Sequence, residues 1–121
     1  MGGRLSIEYN DALNNLDGLS GLSGSVGGQL SISYNAALTN LDGLANITSV
    51  GDLFIGNNAA LTNLNGLANI TSVARFLAIN NNAALTNLDG LVNITSVGIL
   101  QIDNNAALAN LDGHVTRSTA L

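Results

Sequence analysis

Leu30-Ser-Ile-Ser-Tyr-Asn-Ala-Ala-Leu-Thr-Asn-Leu-Asp-Gly-Leu44 decides the fold of this chain, because it recurs almost unchanged from Leu53, again from Leu77 and, shortened, from Leu100. A degenerate copy begins at Leu5. Starts at positions 5, 30, 53, 77 and 100 set rungs of 25, 23, 24 and 23 residues. A unit this short cannot close a hydrophobic core of its own. It has to bury its apolar residues against its neighbours, so the 121 residues read as one stacked array with a continuous core.

Two periods alternate inside each unit. Leu5, Leu30, Leu53, Leu77 and Leu100 are each followed two residues on by Ile7, Ile32, Ile55, Ile79 and Ile102. This Leu-x-Ile alternation is the mark of a short strand with one face inward. The intervening residues then line an exposed sheet face, which makes Ser33, Phe54, Gly56, Ala78, Asn80, Gln101 and Asp103 the candidate binding surface. After the strand the apolar period becomes three, as in Leu38, Leu41, Leu44, Ile47 and Val50. Three is too tight for an α-helix, and it suits short extended pieces and turns that coil once around a core. The β-branched Ile-Thr-Ser-Val stretch predicts a second short strand on each rung. Asp-Gly and Gly-Gly pairs mark the corners. Length varies only just before the Leu-x-Ile strand: Val50 to Leu53 is three steps and Val73 to Leu77 is four.

Rungs of a parallel stack lie about 4.8 Å apart, so residues that repeat on every rung form columns. Asn10, Asn35, Asn58, Asn82 and Asn105 make the strongest of these. An inward amide there predicts a structural ladder, bonding the turn backbone and the Asn above and below. Asn15, Asn40, Asn63, Asn87 and Asn110 form a second column with a structural reading. The Leu-Asp-Gly-Leu corner stacks Asp17, Asp42, Asp89 and Asp112, whose oxygens are of the kind a Ca²⁺ ion takes. Asn65 interrupts that column at the middle rung. Asn keeps a turn acceptor and discards the charge, so the corner reads as a turn cap rather than a metal site, and no cofactor is expected.

Composition excludes several functions. Net charge is -5 and the cations are Arg4, Arg75 and Arg117, with no Lys. A nucleic-acid surface needs clustered cations, so nucleic acid is not an expected partner. No apolar run approaches the roughly 18 residues of a membrane span, so no membrane insertion is expected. The absence of Cys removes disulfides and thiolate sites. Met1-Gly2-Gly3-Arg4 leads directly into repeat sequence, so a signal peptide is not expected within this chain. His114, the one histidine, stands in a tail with no triad or metal partner in sequence. Scattered arginines and unclustered carboxylates speak against an enzyme. The domain reading is a repeat solenoid over residues 1-113 and a C-terminal tail over 114-121.

The pattern L-x-I-x-x-N-x-x-L, as in Leu30 to Leu38, resembles the invariant half of the leucine-rich repeat. The rest of the unit is more similar to the receptor L domain, its β-helical relative in growth-factor receptors and microbial surface proteins. The resemblance covers essentially residues 5 to 113. Those families often carry Pro after the ladder Asn, where this chain has Ala36, Ala59, Ala83 and Ala106, or Asp11 in the first copy. The resemblance implies an all-β, right-handed parallel solenoid of about five rungs, and ligand recognition at a cell surface or outside the cell. On that reading the chain is a non-enzymatic module binding a protein or glycan through its exposed sheet. A second expectation is a homo-oligomer through uncapped end rungs, whose apolar columns and strand edges are open. A third rests on Asn46-Ile-Thr48, Asn69-Ile-Thr71 and Asn93-Ile-Thr95. These are N-glycosylation sequons, and they also set out an Asn/Thr grid that resembles the surface of β-helical ice-binding proteins. Thr39, Thr62 and Thr86 add another Thr column, and Arg75 is placed to pair with Asp52 on the adjacent rung.

Overall fold

In a computed structural model of the chain, residues 2–108 are described. Asn110, Asp112, His114, Arg117 and the expected tail over 114-121 lie outside the described residues. Five strands, β1 (Leu5–Glu8), β2 (Gly24–Ser33), β3 (Ile47–Gly56), β4 (Ser72–Asn80) and β5 (Ser96–Asp103), form one parallel sheet in sequence order. Leu5 pairs with Leu30, Leu30 with Leu53, Leu53 with Leu77 and Leu77 with Leu100, so the columns drawn from sequence are the register of the sheet.

The two strands expected on each rung are joined. From β2 onward one bent strand runs through the Ser-x-Val segment and the Leu-x-Ile segment, with an irregularity between them. That irregularity absorbs the variable residue: Gly27-Gly28 and Ala74-Arg75 bulge where the neighbouring rungs have the single residues Gly51 and Gly98. A bulge bends the strand and increases its twist without moving the paired residues on either side.

The Leu-Asp-Gly-Leu corners are short 3₁₀ turns, Asp17–Leu19, Asp42–Leu44, Asn65–Leu67 and Asp89–Leu91. Their glycines are set by crowding rather than by φ. A Cβ at Gly43, Gly66 or Gly90 would run into the main-chain carbonyl of Leu16, Leu41 or Leu64 on the preceding rung. Between the corners and the strands, main-chain bonds step from rung to rung at Thr62 N–H to Thr39 O and Thr86 N–H to Thr62 O. Inside this wall, Leu38, Leu41, Leu44, Leu61, Leu64, Leu67, Leu85 and Leu91 are completely buried. Each such side chain contributes roughly 1.5–3 kcal/mol, and only because its neighbouring rungs cover it.

The asparagine ladder closes the strand end of the core. Asn35, Asn58 and Asn82 are completely buried. Each Oδ1 accepts two bonds from the rung before, as when Asn58 Oδ1 takes Asn35 N–H at 3.1 Å and Asn35 Nδ2–H at 3.2 Å. Each Nδ2 donates backward to a strand carbonyl and forward to the next amide: Asn58 Nδ2 reaches Ile32 O at 3.0 Å and Asn82 Oδ1 at 3.1 Å. No buried side-chain nitrogen or oxygen among the described residues lacks a hydrogen-bond partner.

Two substitutions probe these contacts. Asn58→Ala strips four hydrogen bonds and leaves buried donors unpaired, so chemical denaturation should show a loss of about 3 kcal/mol or more. A stability within experimental error of wild type would mean the ladder is dispensable. Gly66→Ala drives a methyl into the Leu41 carbonyl and should cost about 2 kcal/mol, read as a lowered thermal midpoint.

Candidate functional site

The outward side chains of the sheet form a grid with one row per strand. In its centre, Gln29, Ser31, Ser33, Phe54, Gly56, Asn57, Ala78 and Asn80 line a shallow groove of about 220 Å³. The structure therefore brings together five of the seven residues expected on this face. Gln101 and Asp103 sit at the β5 edge and engage each other, with Gln101 Nε2–H donating to Asp103 Oδ2 at 3.3 Å. They do not line the groove. Two expected surface positions are in fact buried: Gly56 and Ala78. Asn80 Oδ1 lies 2.8 Å from where a Gly56 Cβ would stand, so the Asn80 side chain covers that glycine. Ala78 is flanked in register by Phe54 and stands two residues from Phe76 on the same strand, too short to reach solvent between the rings.

Phe76 is the residue that sequence reading missed. It belongs to the variable corner by sequence, but the bulge at Ala74-Arg75 returns it to the outward face, paired in register with Ile99. Its ring stacks on Phe54 with centroids 6.3 Å apart and planes 24° from parallel. Phe76 is 37% exposed and Ile99 41% exposed, so the face carries an apolar strip beside the hydroxyl- and amide-lined groove. The signal available in sequence was the four-step spacing from Val73 to Leu77, which places the residue before Leu77 at strand alternation.

Asp52 fixes the upper border of the strip. Its Oδ2 accepts bonds from Arg75 Nη2 at 3.1 Å and Nε at 3.2 Å, and its Oδ1 accepts the Phe76 N–H at 3.1 Å. Partial burial raises the Asp52 carboxyl, but the Arg75 bonds, the Phe76 amide and the Arg75 charge together outweigh it and hold the group below the ordinary carboxylate value. The Arg75 side chain is 56% exposed, so the pair orients Phe76 more than it stabilises the fold.

A second aromatic pair lies one column further on. Tyr9, Tyr34, Asn57, Asn81 and Asn104 all adopt left-handed φ of 55–60°. Asn tolerates that conformation, whereas for Tyr it is uncommon and strained. Tyr9 and Tyr34 stack at 4.7 Å with planes 4° apart, an attraction that offsets part of the strain.

The remaining sequence candidates have backbone roles. The second asparagine column is not a rung-to-rung ladder: Asn15, Asn40, Asn63 and Asn87 each accept the N–H of the residue two positions on, at 3.0 Å. These Asx turns initiate the 3₁₀ corners, so the capping acceptor is that asparagine rather than the Asp of the corner. Among the described residues no three His, Cys, Asp or Glu side chains group in a way that could hold a metal ion. In the Asn/Thr grid, Asn46, Asn69 and Asn93 donate to Ser20 O, Ala45 O and Ala68 O at 2.7–2.9 Å. Thr71 and Thr95 hydroxyls donate to Thr48 O and Thr71 O at 3.4 and 3.3 Å. Among the described residues, no helix is long and apolar enough to cross a membrane.

Asp52 generates a pH prediction. Its folded pKa is depressed, so its contribution is present above the unfolded value near 3.9 and is lost as pH falls through the lower folded value. The thermal midpoint of wild type should exceed that of Asp52→Asn at pH 7, by the equivalent of at most about 1 kcal/mol. The two should converge as pH falls below the ordinary carboxylate value and through the lower folded one. A gap that persists unchanged at acid pH would remove the charge from the explanation.

Compared with known protein families, curated proteins and solved structures, the chain matches none of them.

Proposed function

We propose that this chain is a non-enzymatic recognition module, built as a right-handed solenoid of the leucine-rich-repeat or receptor L domain kind, that binds its partner through the outward face of the sheet. Right-handed crossovers are the rule for parallel strands joined within one sheet, which supports the handedness. A surface or secreted parent protein fits the resemblance of the repeat.

The stacked Phe54–Phe76 pair carries the reading. Two stacked aromatic rings at a sheet surface, one of them on a strand whose Phe76 N–H is held by Asp52, beside a groove of hydroxyls and amides, are the composition of an interface centre: aromatic anchors ringed by hydrogen-bonding groups. The anchors favour a protein partner that fills the strip over Phe76 and Ile99 with its own apolar side chain. The Asn/Thr grid is a weaker candidate surface, because each Thr71 and Thr95 hydroxyl and one amide N–H of each of Asn69 and Asn93 is already donated to the rung before.

Phage-displayed peptides and arrayed neutral oligosaccharides, screened against the immobilised chain, test this. Selected peptides should lose at least about tenfold in affinity against a Phe54→Ser/Phe76→Ser variant, the scale of one hot-spot contact. Thr71→Ser, on the Asn/Thr grid, should leave them unchanged. Selection of oligosaccharides alone would shift the partner class to glycans. Ligands that bind the phenylalanine variant as well as wild type would overturn the assignment of the face.

A further inference from the structure

Three carboxamides on the outward face of the sheet are unspent. Gln29, Asn57 and Asn80 line the central groove, and their side chains make no hydrogen bond to another described residue. Elsewhere on the surface such groups are committed. Asn69 and Asn93 donate to the rung before, and Asn63 and Asn87 accept a turn N–H. Gln29, Asn57 and Asn80 are all half-buried, so they flank a hollow rather than stand free in solvent.

The other walls narrow the chemistry. Phe54 supplies an apolar side, and the Ser31 and Ser33 hydroxyls share a bond at 3.4 Å. No residue lining the groove is charged. Beside it, Asp52 is spent on Arg75 and the Phe76 N–H. Glu8 and Asp103 stand at the two ends of the cross-strand row Glu8, Ser33, Gly56, Asn80 and Asp103. A partner carboxylate would meet those acidic borders and no cation in the lining. An ammonium or guanidinium would lose water against walls that offer no counter-charge. A carboxamide meets neither obstacle. It matches the walls, because each amide there presents N–H donors and an oxygen acceptor together. At about 220 Å³ the groove is smaller than the roughly 300–1,000 Å³ of sites that enclose a whole small molecule, and it has room for one side chain.

Resting on the reading of this face as a protein-binding surface, we propose that the groove takes a Gln or Asn side chain of the partner. That residue stands two positions from the apolar one that covers Phe76 and Ile99. The interval follows from the strand: Phe76 and Ala78 are successive outward positions of β4, about 6.6 Å apart. An extended segment packed face to face on the sheet presents its own side chains at the same interval. The recognised pattern is therefore an apolar residue and a carboxamide at i and i+2, in either order, with Asp and Glu absent beside them.

A phage-displayed peptide library with a fixed central Leu and random flanks, panned on the immobilised full chain, tests this. Gln and Asn should be enriched about tenfold over the input library two residues from the Leu, with Asp and Glu depleted. A synthetic copy of the leading peptide should lose about tenfold in affinity when its amide residue becomes Ala. Against Asn80→Ala the same change should cost much less, since the groove's side of the contact is already gone. Asn57→Asp keeps the shape and tolerates the left-handed φ of 58°, but puts a carboxylate in the wall. Its circular dichroism should match wild type while the residue selected at the groove position turns from Gln or Asn to Lys or Arg. Misfolding cannot produce that exchange. Peptides that need Phe54 and Phe76 yet show no Gln or Asn enrichment overturn the role of the groove alone. So does enrichment of hydroxyl or charged residues there by wild type, or a preference that Asn57→Asp leaves unchanged. Binding that survives Phe54→Ser/Phe76→Ser overturns the assignment of the face and this proposal with it, as does a library that yields no binder.

Discussion

Everything in this molecule answers to the spacing of about 4.8 Å that parallel backbone pairing imposes between rungs. Any residue that repeats must fit, and must be satisfied, at that distance from its own copy. Asparagine meets the condition at the end of the strand because one amide both accepts and donates, so a column of them bonds forward and backward without a foreign partner. Glycine meets it at the corner because only hydrogen fits where the preceding leucine carbonyl lies. Leucine and isoleucine meet it in the interior, where like packs on like and each rung completes the burial of the last.

The same condition explains why the surface is quiet. Side chains that elsewhere reach for ligands are drawn into rung-to-rung bonding here. The Thr71 hydroxyl and the Asn69 amide both donate to main-chain carbonyls of the previous rung, and Asn63 holds the N–H of Asn65 within its own turn. Surface chemistry survives where the repeat is broken. Phe54 stands in a column otherwise of Ser6, Ser31, Ala78 and Gln101, Phe76 directly precedes its strand's Leu where other rungs have Arg4, Gln29 and Asp52, Arg75 is the inserted residue of a longer corner, and Tyr9 and Tyr34 occupy a left-handed position where later rungs use Asn. Departures from the consensus, and not the consensus, carry the candidate sites.

Much of the fold was legible. The Leu-x-Ile columns are the sheet register from Leu5 to Leu100, and the ladder asparagines bond as an inward amide should. The candidate face was partly legible: alternation put Ser33, Phe54 and Asn80 on one side, and they do line one groove. Alternation alone says which way a side chain leaves the backbone and nothing of how tall its neighbours are. That is why Gly56 and Ala78, outward by pattern, are buried beneath Asn80 and between the phenylalanines. The turn acceptor was misassigned for a related reason: Asn40 and Asp42 are equally able to cap, and only the backbone path shows which oxygen meets the N–H.

The sequence by itself determined the period, the inward columns and the exclusion of a cation-rich surface, since these depend on the order of residue types along one chain. Only the tertiary structure decided that Phe76 joins Phe54, that the two strand segments of a rung are one bent strand, and that Gln29, Asn57 and Asn80 meet around one groove. Each of these depends on how a rung of one length settles against a rung of another, a distance across the stack that no spacing along the chain contains.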